Sequence, residues 1–270
     1  MDGVIYVATG LDYVELAQAS AMSLRHHNPN LPIDIFTDLD LPELAVTFDT
    51  VHLISDPKPR SKIDCMPLSR FTRTLYLDCD TLIVAPFEDL FDILIRFDLA
   101  IAHDMRRSTD LVQEGLKVKT PYAFPQLNSG VMLYRNSFKT IEFFRSWQDM
   151  YKETGKMRDQ ISLKDLLWTS DLQFYILPPE FNLRRVTILD SWEPGDARPT
   201  IIHSHRLMDH MQGPEKVRIF DIQNLIELER VALEEEWDLV CEKGERIFGT
   251  FSIKRNLSPV SAYGTDRGLN

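Results

Sequence analysis

Residues 74–84 read Thr74-Leu75-Tyr76-Leu77-Asp78-Cys79-Asp80-Thr81-Leu82-Ile83-Val84, two carboxylates set between two short apolar runs. Side chains alternate along a strand, so residues i and i+2 point the same way. Asp78 and Asp80 at the end of a buried strand therefore aim at one point in space. Two unpaired carboxylates are costly to bury, which makes a cation the natural occupant of that point. An isolated pair of this kind also occurs as solvated acids in a turn. The flanking apolar runs favour the cation.

The rest of the chain supplies a setting for such a strand end. Residues 4–8, 33–37, 51–54, 74–77, 82–84, 98–102, 130–134, 174–177 and 200–202 read as short strands. Residues 12–27, 138–151 and 159–168 carry helical periodicity. In the first helix Leu16, Ala19, Ser20, Ser23 and Leu24 share a face. Asp12 is a candidate N-cap, and Asn28-Pro29-Asn30 breaks the helix. Strands alternating with helices predict an α/β fold, a mostly parallel sheet with helices on both faces. Ligands of such sheets bind beyond the carboxyl ends of the strands. Thr9, Asp78, Asp80, His103, Asp104 and His203 all follow or end apolar runs, so one cleft could gather several of them.

Composition narrows the function. The 270 residues suffice for one large domain or two small ones. The net charge of -11 argues against a general nucleic-acid binder, which needs clustered Lys and Arg. Local basic spots at Arg70/Arg73, Arg106/Arg107 and Arg184/Arg185 would still suit a phosphorylated ligand. No stretch of 18 apolar residues suggests a transmembrane helix, and the first residues do not read as a signal peptide. Cys65, Cys79 and Cys241 are widely spaced and show no disulfide or zinc pattern, so a reducing, cytoplasmic setting is expected. Residues 221–243 form an amphipathic pattern with Ile222, Leu225, Ile226, Leu233, Trp237 and Val240. That helix would pack on the main domain or on a second subunit as a homodimer contact, with Gly244 as its stop. The tail from residue 251 is expected to be flexible.

An ordered series of segments resembles the GT-A fold glycosyltransferases, the nucleotide-diphospho-sugar transferases of glycogenin and lipopolysaccharide-galactosyltransferase type. It starts with Tyr6-Val7-Ala8-Thr9-Gly10-Leu11-Asp12-Tyr13 and Ala21-Met22-Ser23-Leu24. It continues through Lys62 and Ser69-Arg70-Phe71 into Leu75-Tyr76-Leu77-Asp78-Cys79-Asp80-Thr81. Asn128-Ser129-Gly130-Val131-Met132-Leu133-Tyr134, Asp159-Gln160, Leu177-Pro178-Pro179-Glu180-Phe181-Asn182 and Ile201-Ile202-His203 complete it. The resemblance covers roughly residues 1–215 and implies a Rossmann-like GT-A domain there; the residue pattern adds a helical extension over 216–250 and a tail over 251–270.

By this resemblance Asp78 and Asp80, with His203 near the end of a late strand, would hold Mn2+ (or Mg2+) on the pyrophosphate of a nucleotide sugar. Imidazole beside carboxylates suits manganese better than calcium. His205, and His210 within His210-Met211-Gln212-Gly213-Pro214-Glu215-Lys216, remain alternatives for the third ligand. The latter segment spells the family's HxxGxxK pattern but lacks the Pro-Trp that usually follows. Thr9 and Tyr13 match the segment that holds uracil, with Tyr13 stacking; packing of Tyr13 within its helix is the alternative. Lys62 would approach the donor phosphates. Asp104 would accept from a sugar hydroxyl. Asn128 and Gly130 match a sugar-side loop, where glycine allows close approach. Asp159 and Gln160 match the pair that faces the transferred sugar; Asp159 could equally be an acid opening a helix.

The implied activity is metal-dependent transfer of a sugar from a UDP-sugar to an acceptor hydroxyl, with retention of configuration. A metal would neutralise the diphosphate leaving group. Residues 105–126, a proline-interrupted stretch, would choose an acceptor, but they name no glycan, lipid or protein. Asp78-Cys79-Asp80-Thr81 also fits in part the motif of haloacid-dehalogenase-type phosphohydrolases, with Asp78 as nucleophile and Asp80 as general acid. A non-catalytic nucleotide-sugar-binding module is a further alternative.

Overall fold

The computed structural model of the protein describes residues 1–104, 115–154, 158–208 and 222–242 (for residues 154 and 236–242 the backbone path only). The strands are β1 (Asp2–Ala8), β2 (Ile33–Thr37), β3 (Thr50–Leu53), β4 (Arg73–Leu77), β5 (Thr81–Ile83), β6 (Leu99–His103), β7 (Leu127–Arg135), β8 (Phe174–Ile176) and β9 (Ile201–His203). The helices are α1 (Leu11–His27), α2 (Leu44–Thr47), α3 (Ser61–Cys65), α4 (Phe138–Thr154), α5 (Gln160–Thr169) and α6 (Ile222–Glu242).

Seven strands form one sheet in the order β3-β2-β1-β4-β7-β6-β8. All its neighbours pair in parallel except those of β7, which runs antiparallel to both β4 and β6. The mostly parallel sheet is therefore present, with one reversed strand in its interior. Alternation along the strands feeds two cores, one on each face. Val4, Tyr6 and Ala8 of β1 enter one with Leu75 and Leu77 of β4, beside Val14, Ala17, Ala21 and Leu24 of α1. Ile5 and Tyr76 enter the other, with Phe144 and Trp147 of α4 and Leu163 of α5. Because both faces are covered, the strands read as near-continuous apolar runs. Phe144 and Trp147 are fully buried, and truncating either to alanine would cost about 3–5 kcal/mol.

β1 passes into α1 at Gly10, whose φ of 80° lies in the region glycine tolerates best. The Gly10 N–H donates to Asp38 Oδ1 at 2.8 Å. The N-cap is Gly10, with no side-chain cap; Asp12 sits inside the first turn, a correction to its expected place. The buried face of α1 carries Val14, Leu16, Ala17, Ser20, Ala21 and Leu24; Ala19 and Ser23 are only partly covered.

β5 and β9 form a separate antiparallel pair that sets Thr81 opposite His203. This pairing carries His203 from 123 residues further along the chain to the acids that precede β5. α6 packs on the main body. Leu225 and Ile226 are buried, the Glu229 carboxylate accepts from the Thr187 N–H at 3.1 Å, and Arg230 pairs with Asp190. No helix among the described residues is long and apolar enough to cross a membrane. Gly244 and residues 251–270 lie outside the described residues, as do residues 105–114 with Arg106 and Arg107.

Candidate active site

β4 ends at Leu77, and its last residues hand the chain to a tight turn, Asp78-Cys79-Asp80, before β5 begins. A buried relay fixes that turn. Thr81 Oγ1 donates to the Asp78 carbonyl at 2.8 Å, Ser20 Oγ lies 2.6 Å from Thr81 Oγ1, and Tyr6 Oη lies 2.9 Å from Ser20 Oγ. The Asp78 N–H donates to the Gly130 carbonyl of β7 at 2.7 Å, and the Asp80 carbonyl accepts from the Ser204 N–H at 3.0 Å. The backbones of both acids are thus tied to distant parts of the chain, Asp78 to β7 and Asp80 to the residue after β9.

The side chains of Asp78, Asp80 and His203 converge. Their ligand atoms all lie within 4.8 Å of one another. His203 Nε2 is 3.2 Å from Asp80 Oδ1 and 3.6 Å from Asp78 Oδ2. Two carboxylates and an imidazole suit Mn2+ or a similar divalent ion, so the residues present fit the group that the sequence suggests. Gly130 makes room for this cluster. A Cβ at that position would stand 1.9 Å from His203 Cε1 and 2.7 Å from Asp78 Oδ2, closer than any real contact. Burial pushes the Asp80 carboxyl up, but the His203 ring and Arg184 hold it far below the usual range.

A second set of charges adjoins the cluster. Lys62, on α3, is buried and donates to Asp78 Oδ1 at 3.2 Å and to Ser129 Oγ at 3.0 Å. Its Nζ lies 3.4 Å from Asp159 Oδ2. Burial pulls the Lys62 ammonium down, yet Asp159 and Asp78 more than offset this and hold it above its ordinary value. Burial likewise pushes Asp159 up, but Lys62, Arg60 and the 2.7 Å hydrogen bond from Ser129 Oγ keep it below the carboxylate range. Trp147 supports this end: its indole N–H reaches the Asp159 carbonyl and Ser162 Oγ, each at 3.2 Å. Gln160 Nε2 donates to Asp104 Oδ2 at 2.7 Å and to the Leu127 carbonyl at 3.0 Å.

Thr9, Tyr13, Lys62, Asp78, Asp80, Asp104, Asn128, Gly130, Asp159, Gln160 and His203 all line one cleft of about 810 Å³. The Tyr13 side chain, on the first turn of α1, is exposed rather than packed in a core. His205 lines the same cleft but stands outside the acid cluster, and His210 and Lys216 lie outside the described residues. One of the basic spots, Arg70/Arg73, does not reach the cleft, which corrects that expectation. Arg70 is committed to buried Asp34 through two hydrogen bonds of 2.7 and 2.9 Å, and Arg73 to Asp2 and Asp92. Arg184 does line it.

Arg60, Tyr76, Ser129, Arg158 and Asn182 also belong to the site, beyond the residues to which the sequence points. For Tyr76 a signal existed. It stands two residues before Asp78, and its hydroxyl donates to Asp78 Oδ1, as strand alternation allows. Asn182 and Ser129 lay within the recognised segments. Arg60 and Arg158 carried no mark beyond their charge.

A sequence profile described as nucleotide-diphospho-sugar transferase matches residues 69–216, more than half of the chain. The chain belongs to this family, and its fold is GT-A. Among solved structures, GlyE from Streptococcus pneumoniae TIGR4, a glycosyltransferase, is 19% identical with a TM-score of 0.53. That match covers 75% of this chain and 55% of GlyE, so the chain spans little more than half of that protein. The galactosyltransferase LgtC, solved with donor and acceptor sugar analogues, is 16% identical with a TM-score of 0.53, covering 86% of this chain and 96% of LgtC. The bifunctional glycosyltransferase WbbM is 15% identical with a TM-score of 0.54, covering 84% of this chain and 49% of WbbM. At such identities these proteins share the fold. No curated protein sequence matches the chain significantly. Membership of the transferase family leaves the phosphohydrolase reading of Asp78 and Asp80 without support.

Proposed function

We propose that the protein transfers a sugar from a UDP-sugar to an acceptor hydroxyl, with retention, in a reaction that depends on Mn2+ or Mg2+. The observation that carries this reading is the convergence of Asp78, Asp80 and His203 beside Lys62 and Asp159 in one cleft. Residues 1–215 form the catalytic domain, and the helix over 222–242 is an extension of it. The buried free thiols of Cys65 and Cys79 favour a cytoplasmic setting.

Asp78, Asp80 and His203 would hold the cation, which when bound supplies Lewis-acid neutralisation of the diphosphate leaving group. Lys62 supplies fixed positive charge next to that point, in a site too dry to screen it. Thr9 and Tyr13 receive the uracil, with the exposed Tyr13 ring as the stacking surface. Asp104, Asn128 and Gly130 face the sugar. Asp159 stays ionised because Lys62 and Ser129 hold it so, and it steadies positive charge developing at the anomeric carbon. Gln160, anchored to Asp104, orients the sugar hydroxyls.

Retention is carried by the resemblance to retaining transferases. Inversion needs a general base, histidine or carboxylate, placed to accept the proton of the acceptor hydroxyl. Asp159 is held below the ordinary carboxylate range by Lys62, Arg60 and Ser129, which makes it a poor base. Attack on the face of the leaving group lets a departing phosphate oxygen take that proton instead.

Calorimetric titration of UDP, with Mn2+ and then with EDTA, tests the reading on the wild type and on Asp80→Asn. Binding is expected only with Mn2+ and only with Asp80 intact. Failure of the wild type to bind UDP in the presence of Mn2+ would exclude the uridine donor and direct the search to GDP and dTDP.

A further inference from the structure

His203 stands at the end of a hydrogen-bond chain whose polarity can be read from its far end. The Gly130 backbone N–H can only donate, and it meets the Asn128 side chain at 3.1 Å, so the atom it meets is the acceptor Oδ1. Asn182 meets that same oxygen at 3.0 Å and must present its donor, Nδ2. Asn182 therefore turns Oδ1, an acceptor only, toward His203 Nδ1 at 2.9 Å. Nδ1 carries a proton. A backbone amide has no flipped alternative, so the orientation of both carboxamides follows from it. Asn128, Asn182 and His203 keep 6%, 2% and 2% of their accessible surface, so water does not compete for these contacts.

We propose that Asn182, itself held by Asn128, is a positioning residue that keeps His203 in the Nδ1–H form with Nε2 turned to Asp78 and Asp80. Nε2 is then the ring atom turned to the carboxylates, 3.2 Å from Asp80 Oδ1 and 3.6 Å from Asp78 Oδ2, and the one whose lone pair a bound cation would use. A ligand imidazole generally gives its other N–H to an acceptor that fixes the tautomer and ring orientation. Asn182 is that acceptor here. Gly130 serves the same end twice, since its N–H polarises the chain and its missing Cβ leaves space for the ring. This role rests on reading Asp78, Asp80 and His203 as the cation site.

Mn2+ is the probe, with its affinity followed by electron paramagnetic resonance and folding by thermal melting in EDTA. Two variants separate positioning from packing. Asn182→Leu fills the volume but removes the acceptor; Asn182→Asp keeps an acceptor oxygen but buries a charge. Positioning predicts opposite orders in the two measurements. Asn182→Leu should bind Mn2+ about 10–100-fold more weakly than wild type, while Asn182→Asp stays within about threefold. In EDTA, Asn182→Asp should be the less stable of the two. Wild-type-like Mn2+ affinity in Asn182→Leu would overturn the inference. Should that variant not fold, Asn182→Ala tests the same missing acceptor with the same expected loss. A wild type that binds no Mn2+ removes the cation site and this role together, and is distinguishable because the loss then precedes any substitution.

Discussion

The Lys62 ammonium lies 3.4 Å from the Asp159 carboxylate, and the two residues keep only 7% and 4% of their accessible surface. Charges so placed hold one another in the ionised state, and neither can be removed without exposing the other to a dry surrounding. Lys62 also reaches Asp78, so the pair joins the cation cluster to the far end of the cleft.

Replacing Asp159 by Asn should lower stability by about 2–3 kcal/mol, toward the small end for a buried pair because Asp78 still accepts from Lys62. Urea denaturation checks this. The Asp159 contribution has a definite pH window. Its folded value is depressed, so its stabilisation is present above the unfolded carboxylate value of about 4 and is lost as pH falls through the folded value. Lys62 is raised, so its stabilisation is present below its unfolded value of about 10.4 and is lost as pH rises through the higher folded one. The stability difference between wild type and Asp159→Asn should therefore be flat between about pH 5 and 9 and shrink in acid.

Gly130→Ala should abolish Mn2+-dependent UDP binding. The added methyl would overlap His203 Cε1 and Asp78 Oδ2, and backbone or ring must shift to admit it. A stability loss of about 1–3 kcal/mol should accompany the change, as for other overpacked sites. Calorimetry with UDP and Mn2+, together with thermal melting, measures both effects.

Arg70→Ala should separate stability from the site. Asp34 is buried and accepts two hydrogen bonds from Arg70 and one from His52 at 3.2 Å. Loss of the guanidinium leaves a buried carboxylate with only His52 beside it, at a cost of about 3 kcal/mol. UDP affinity below the melting point should stay unchanged, because neither Arg70 nor Asp34 lines the cleft.

Ser20→Ala should cost about 1–2 kcal/mol by leaving the Tyr6 hydroxyl and Thr81 Oγ1 without their shared partner in a fully buried relay. Because that relay ends on the Asp78 carbonyl, Mn2+ affinity should fall as well, by about threefold to tenfold. Denaturant titration and Mn2+ binding test the two statements separately.

Most strands, the long helices and the place of the acids were legible in the residues alone; the short helix α3, which carries Lys62, was not. The apolar run in 74–77 and helical spacing in 12–27 are properties of neighbouring residues, legible without knowing what they pack on. β2 and α1 appear close to where those patterns put them. The two-residue spacing of Asp78 and Asp80 made a shared ligand plausible before any fold was known. Their convergence with distant residues on one cleft was suggested by their places at the ends of apolar runs and by segments arriving in a recognisable order.

The remaining features arise only on folding, because pairing partners lie far apart in the chain. The reversal of β7 left no trace in its composition, since an apolar strand buried on both faces reads alike in either direction. Arg70 and Arg184 look equivalent as basic residues. One is spent on a buried Asp34 and the other lines the cleft, a difference set by which strand end each one reaches. His203 faces the acids rather than His205 because β9 pairs with β5 in a register that sets His203 opposite Thr81. The partner that orients its ring, Asn182, comes from a turn 21 residues upstream. Burial and hydrogen-bond polarity assign such roles, and both exist only once the chain has closed around them.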